Sequence, residues 1–284
     1  GFSGISGPGT KVWAYSRAKQ VIDMLKVRVL TALVGIPLLI LVVMAGGWIL
    51  FGAALAVALA AQAELYALLA RRGFSGPWGI GMAGTVLLMG LVFTNKAEAV
   101  PHFIAILVLI LFFFAVVRGR IENCFQDVGG TLLGILYPSL LWSYLFPLRT
   151  ASALPLFLVF IVTWANDTSA YFVGRSLGRH KLIPSLSPNK TVEGAVGGLV
   201  ASALVASLFT RLVEVSPWPL AALGLCLGLA AQLGDLWESM LKRYAGVKDS
   251  GSFLPGHGGF LDRFDGIFFA LPLGYFLFRL VGLV

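Results

Sequence analysis

Residues 239–265 read SMLKRYAGVKDSGSFLPGHGGFLDRFD, and what stands on either side of that stretch decides the fold. It gathers Lys242, Arg243, Lys248, Asp249, His257, Asp262, Arg263 and Asp265 in a chain that is 58% hydrophobic and only 12% charged. Apolar runs at 218–240 and 264–284 flank it. A helix needs about 20 mostly apolar residues to cross the hydrocarbon core of a bilayer. The charged stretch therefore lies where a membrane meets water. Charges of both signs beside a Pro-Gly-His-Gly-Gly turn suit the handling of phosphates and a metal there.

Working outward, the whole chain has this character. Its mean hydropathy of +0.89 over 284 residues excludes a soluble globule. The expected fold class is an all-α polytopic integral membrane protein. Nine segments qualify as spans: 29–44, 48–70, 78–94, 100–117, 131–146, 154–173, 192–212, 218–240 and 264–284. Pro138, Pro147 and Pro155 interrupt the fifth and sixth. The net charge of +8 does not point to nucleic acid, because most Lys and Arg flank the apolar runs. With the amino terminus in the cytoplasm, Lys26, Arg28, Arg71, Arg72, Arg118, Arg120, Arg175, Arg179, Lys181, Lys190, Lys242, Arg243, Lys248 and Arg263 share that side. Lys96, Arg149, Arg211 and Arg279 fall on the other. That imbalance supports nine spans, amino terminus in and carboxyl terminus out. Cys124 and Cys226 have neither disulfide-framework nor metal-ligand spacing. Residues 1–23, opening GFSGISGPGT, read as a foreign remnant or a polar tail ahead of Met24. Residues 24–150 then form amino-terminal membrane helices, and 151–284 form a carboxyl-terminal membrane region expected to hold the functional site.

Ionisable residues inside membrane helices are costly and usually face a bundle interior or an aqueous cavity. Glu64 is one, read as an interfacial residue near Arg71. Asn166 and Asp167, in WANDTSAY, sit late in the sixth run and point to a lined cavity. Asp235 and Glu238, in GDLWES, share one helix face at i and i+3. They would repel unless a cation or a basic partner stood between them. Lys242 and Arg243 could be that partner. A metal is favoured because Asp262 and Asp265 follow across the loop, and Mg²⁺ takes hard oxygen ligands from carboxylates, phosphates and water. His102, His180 and His257 are too dispersed to suggest zinc.

A second polar segment, GRSLGRHKLIPSLSPNKTVEG at 174–194, mixes turn formers with Arg175, Arg179, Lys181 and Lys190. It could lie on anionic headgroups. Within it, the Ser187 and Thr191 hydroxyls, the Lys190 ammonium and turn N–H groups can all donate to phosphate. Thr191 and Glu193 would open the seventh helix, whose amino terminus also favours anions. No GxxxxGK[ST] loop occurs.

These motifs resemble the CTP:phosphatidate cytidylyltransferases, or CDP-diacylglycerol synthases. The family signature is filled without a gap by Ser239, Lys242-Arg243, Lys248-Asp249, Pro255, His257-Gly258-Gly259 and Asp262-Arg263-x-Asp265. The resemblance extends through GDLWES, SPNKTVEG and NDTSAYFVG, over roughly the last 120 residues. Val192 departs from it, where many members carry Trp. The resemblance implies that phosphatidate and CTP give CDP-diacylglycerol and pyrophosphate in a Mg²⁺-dependent, often homodimeric enzyme open to the cytoplasmic leaflet of a bacterial-type inner membrane. A second cation is left open. It also implies that Asp235 and Asp262 hold the metal.

The chemistry of the residues agrees. A phosphate monoester with a second pKa of about 6 is largely dianionic at neutral pH, so its attack needs no strong base. The obstacle is bringing it to a triphosphate, which a divalent metal and fixed cations can overcome. On this reading Asp235 and Asp262 hold the metal with Glu238, and Asp265 stands beside them as a further ligand or orienter. Lys242, Arg243, Lys248 and Arg263 screen phosphates. Ser187, Lys190, Thr191 and Glu193 bind substrate, as do Asn166, Asp167, Asp249, His257, Gly258 and Gly259. A CTP-dependent polyprenol kinase, an ion transporter and a lipid-binding scaffold are the alternatives.

Overall fold

The computed structural model describes residues 33–251 and 258–284. The expectations for residues 1–23, Lys26, Arg28, Pro255 and His257 lie outside them. Among the described residues the chain is nearly all-α, and five helical stretches are long and apolar enough to cross a membrane.

Helix α1 is described over Leu33–Ala45, and α2 follows at Gly47–Ala70 after the positive-φ Gly46. Arg149 donates from Nε to the Val43 carbonyl at 2.6 Å and from Nη2 to that of Met44 at 3.1 Å. It thereby satisfies carbonyls that the end of α1 leaves open. Helix α3 spans Trp78–Phe93, and a 3₁₀ turn at Ala97–Ala99 leads into α4 at Val100–Arg118. α4 turns Phe113 and Val116 outward at 72% and 79% exposure, which suits lipid and not water.

The expected fifth segment belongs to a longer unit, Cys124–Ala151. It comprises α5 (Cys124–Ile135), a π turn (Leu136–Leu140), α6 (Leu141–Ser143) and α7 (Leu145–Ala151). Pro138 sits inside the π turn; lacking an N–H, it cannot continue the α ladder, and the widened turn accommodates it. Several buried polar groups in this half are paired, although the buried Tyr137 hydroxyl is not. Gln62 Nε2 donates to the Tyr66 hydroxyl at 2.9 Å, Tyr66 donates to the Thr131 carbonyl at 3.0 Å, and Thr85 donates to Gln62 Oε1 at 2.8 Å. Asp127 accepts from Ser75 N at 2.7 Å and pairs with Arg118 at 3.4 Å.

Helix α8 (Ala153–Leu177) ends at a feature the sequence reading treated as irregular loop. Strands β1 (Lys181–Ile183) and β2 (Ser187–Thr191) form an antiparallel hairpin, with Lys181 opposite Thr191 and Ile183 opposite Ser187. The chain continues through α9 (Val192–Leu208), α10 (Thr210–Val213), α11 (Pro217–Ala245) and α12 (Leu261–Leu280). Helices α8, α9, α11 and α12 form the carboxyl-terminal bundle. Small residues let such helices approach closely in lipid, where hydrophobic burial between helices gains little. A side chain at Gly234 would strike the backbone of Asp265, and one at Gly266 would press on Ala231. α11 and α12 are therefore in near backbone contact at the level of their carboxylates.

Candidate active site

That close approach places Asp235 and Glu238 of α11 against Asp265 of α12. Each offers a carboxylate oxygen, and the three oxygens lie within 4.8 Å of one another. Two ammonium groups balance part of this charge. Lys190 is ion-paired with Asp235. Lys242 is ion-paired with Glu238 and also meets Asp262 Oδ1 at 2.7 Å. Glu238 is fully buried, and neither of its oxygens has a hydrogen bond of good geometry beyond that ion pair. Hard oxygens converging with an under-satisfied buried carboxylate fit a divalent cation.

The resemblance paired Asp235 with Asp262. In the structure Asp265 stands with Asp235 and Glu238, and Asp262 lies across the Lys242 ammonium from Glu238. Asp262 Oδ2 accepts from Ser250 N at 2.9 Å, Ser250 Oγ at 2.8 Å and Gly259 N at 3.0 Å. Its carboxylate thus ties Ser250 and Gly259 to the first turn of α12.

Beside the carboxylates opens a cavity of about 460 Å³, within the range of small-molecule sites. Asn166, Asp167, Lys190, Thr191 and Asp235 line it, together with Tyr171, Arg175, Asn189 and Gln232. Asn166 is buried and donates to Asp167 Oδ1 at 3.2 Å. Gln232 Nε2 donates to Asn166 Oδ1 and to the Ala195 carbonyl, both at 2.9 Å, joining α11, α8 and α9 at the cavity wall. The Thr191 hydroxyl accepts from Gly194 N at 3.1 Å, capping α9. Capping fixes the direction of the β2–α9 junction and hence of Lys190.

Other expected residues stand further out. Ser187 lies at the far end of the hairpin opposite Ile183, outside the cavity lining. Glu193 accepts from His180 Nδ1 at 2.6 Å and from the Arg179 and His180 backbone, which secures the entry to β1. Arg243 donates to the Leu186 carbonyl at 3.1 Å, tying the hairpin tip to α11. Lys248, Asp249 and Arg263 are exposed, and Gly258 has a positive φ of 76° beside Asp262. The sequence reading passed over Gln232, Tyr171 and Asn189. Gln232 carried a usable signal, lying at i−3 from Asp235 on the same helix face.

The profile described as the Cytidylyltransferase family matches residues 26–281. The chain is 37% identical over 255 residues to a protein named phosphatidate cytidylyltransferase from Staphylococcus saprophyticus, covering 88% of this chain and 97% of that one. Proteins of the same name from Staphylococcus epidermidis and Staphylococcus aureus are 36% and 35% identical, again over 88% of this chain and 97% of theirs. A profile match that takes in both halves of the fold, with relatives similar along nearly their whole length, shows that this chain belongs to the cytidylyltransferase family.

Proposed function

We propose that this protein transfers the cytidylyl group of CTP to phosphatidate, giving CDP-diacylglycerol and pyrophosphate. The observation that carries the reading is the trio Asp235, Glu238 and Asp265 opening beside a polar cavity in a membrane bundle. The names of the relatives support the same substrates. A divalent cation, Mg²⁺ by the hardness of its ligands, would be held by these three carboxylates and would offset the charge of the triphosphate at the α-phosphorus. Lys190 and Arg175 offer fixed positive charge on the cavity wall toward substrate phosphates. Lys242 bridges Glu238 and Asp262. The lipid phosphate supplies the attacking oxygen and the pyrophosphate leaves, so no residue need take a proton from the nucleophile.

The topology of this reading has nine passes with the amino terminus in the cytoplasm. It is supported by the placement of Arg71, Arg72, Arg118, Arg120, Lys242 and Arg243 at helix ends on the site's side of the bundle. The site then opens to the cytoplasm, where CTP is available. The test is pyrophosphate release by the purified protein in detergent with CTP, phosphatidate and Mg²⁺, each omitted in turn. Release requiring all three supports the reading. CDP and a phosphorylated lipid as products would replace it with a kinase.

A further inference from the structure

Glu64 lies in α2, in the half of the chain that carries no part of the family signature, yet its carboxylate reaches the catalytic loop. Oε1 accepts from Phe260 N at 2.9 Å, and Oε2 accepts from Leu261 N at 2.9 Å and from Ser250 Oγ at 3.2 Å. These are the first N–H groups of α12, the helix that carries Asp262 and Asp265. Its N-cap residue is Phe260, whose side chain cannot cap. Open N–H groups at a helix start need acceptors, and a negative charge there is favoured by the helix dipole. Glu64 supplies both from another helix. The loop is shaped to receive it: a side chain at Gly259 would strike Glu64 Oε2 and Ser250 Oγ, and one at Gly251 would strike Glu64 Oε1. One glycine of the His-Gly-Gly motif thus makes room for a carboxylate 195 positions earlier (259 − 64). The Ser250 hydroxyl sits between Glu64 Oε2 and Asp262 Oδ2, so the two carboxylates share a donor. Arg72 reinforces the same docking by donating to the Tyr244 carbonyl and lying over its ring at the end of α11.

We infer that Glu64 is a positioning residue for the reaction: by capping α12 from α2 it fixes the rotation and height of that helix and so sets Asp265 against Asp235 and Glu238. Asp265 is one helical turn beyond Leu261, so a loosened first turn swings its carboxylate directly. The inference rests on the cytidylyl-transfer reading for its catalytic consequence, but the geometric consequence is separable.

The test uses the full-length protein and its Glu64→Gln variant in detergent. Glutamine is nearly isosteric but turns an NH₂ toward a backbone N–H. Mn²⁺ binding is followed by electron paramagnetic resonance without nucleotide, pyrophosphate release is measured with CTP, phosphatidate and Mg²⁺, and thermal unfolding is recorded for both proteins. Groups that orient metal ligands typically change affinity or activity by about 10–100-fold. E64Q is expected to weaken Mn²⁺ binding about tenfold and to lower kcat by about 10–100-fold, with KM for CTP near that of the parent. A lower unfolding temperature with Mn²⁺ affinity and kcat within about twofold of the parent would make Glu64 merely structural and overturn the inference, since an orienting residue moves them further. A parent that binds no Mn²⁺ overturns it too. If E64Q does not fold, Ser250→Ala removes the shared hydroxyl alone and must shift Mn²⁺ affinity in the same direction; no shift refutes the inference. A parent that releases no pyrophosphate, with Mn²⁺ binding still weakened by E64Q, leaves the positioning role standing and sinks the cytidylyl-transfer reading.

Discussion

Replacing Asp265 by asparagine should raise stability and destroy activity together. The carboxylate oxygens of Asp235, Glu238 and Asp265 lie within 4.8 Å of one another. Two unit charges at that separation repel by about 3.5 kcal/mol at an effective dielectric of ~20. Lys190 and Lys242 offset much of this through Asp235 and Glu238, leaving a relief of about 1–2 kcal/mol when Asp265 becomes neutral. Asparagine keeps the side-chain oxygen that accepts from Gly266 N at 2.7 Å, so packing is preserved. In chelator, D265N should unfold about 2–4 °C above the parent for each kcal/mol relieved. Added Mg²⁺ reverses the order. A ligand at a hundredfold its dissociation constant stabilises by about 2.7 kcal/mol, and the variant forfeits most of that. Because residues behind metal ligands already cost about 10–100-fold when changed, loss of a direct ligand should cost at least ~100-fold in pyrophosphate release. Unfolding scans with and without Mg²⁺, beside an activity assay, read both effects. A D265N protein that keeps the Mg²⁺-induced shift and activity within about threefold of the parent would refute the assignment, given the scale expected for a direct ligand.

Three further expectations use other parts of the structure. Lys190→Met removes the ammonium that competes for Asp235, so Mn²⁺ should bind more tightly while pyrophosphate release falls by about 10–100-fold, the worth of a charged contact to phosphate; weaker Mn²⁺ binding would count against the competition. Gly234→Ala should force α11 from α12 at the Asp265 backbone, lowering stability by about 1–3 kcal/mol and abolishing cation-induced stabilisation, as a thermal scan would show. Asp127→Asn should cost about 1–2 kcal/mol by breaking the largely buried pair with Arg118 while leaving KM for CTP unchanged; a changed KM would tie the amino-terminal pair to the site.

The all-α membrane character was legible because long apolar runs have few other uses, and five helical stretches are long and apolar enough to cross a membrane. The sequence placed the third span at 78–94; the helix there, α3, covers the 16 residues Trp78–Phe93 and is one of the shorter apolar helices. The fifth was harder. Pro138 reads as a break, yet a π turn absorbs it, and the unit extends from Cys124 to Ala151. The hairpin at 181–191 was missed because SPNKT carries turn formers and little strand propensity; its pairing is imposed by the ends of α8 and α9 and by Arg243. Asp235 and Glu238 declared themselves by spacing on one face. Which aspartate of α12 joins them did not. Positions 262 and 265 lie about 60° apart around a helix of 3.6 residues per turn. The rotation of α12 decides, and that depends on Gly266 against Ala231 and on Glu64 beneath its first turn. Glu64 itself looked interfacial, because nothing local to it announces partners nearly 200 residues later.

That separation also governs how the protein is made. Asp127 meets Arg118 nine residues away, so this pair can close as soon as the two leave the ribosome. Glu64 must wait for Leu261, 197 residues on. At about 5–20 residues per second, that is a delay of roughly 10–40 s. Throughout it, the Glu64 carboxylate, near the end of α2, lacks the Ser250, Phe260 and Leu261 donors that it meets in the finished fold. The half-built chain therefore carries an uncompleted polar contact in its membrane half, and that contact closes only when the last helix docks.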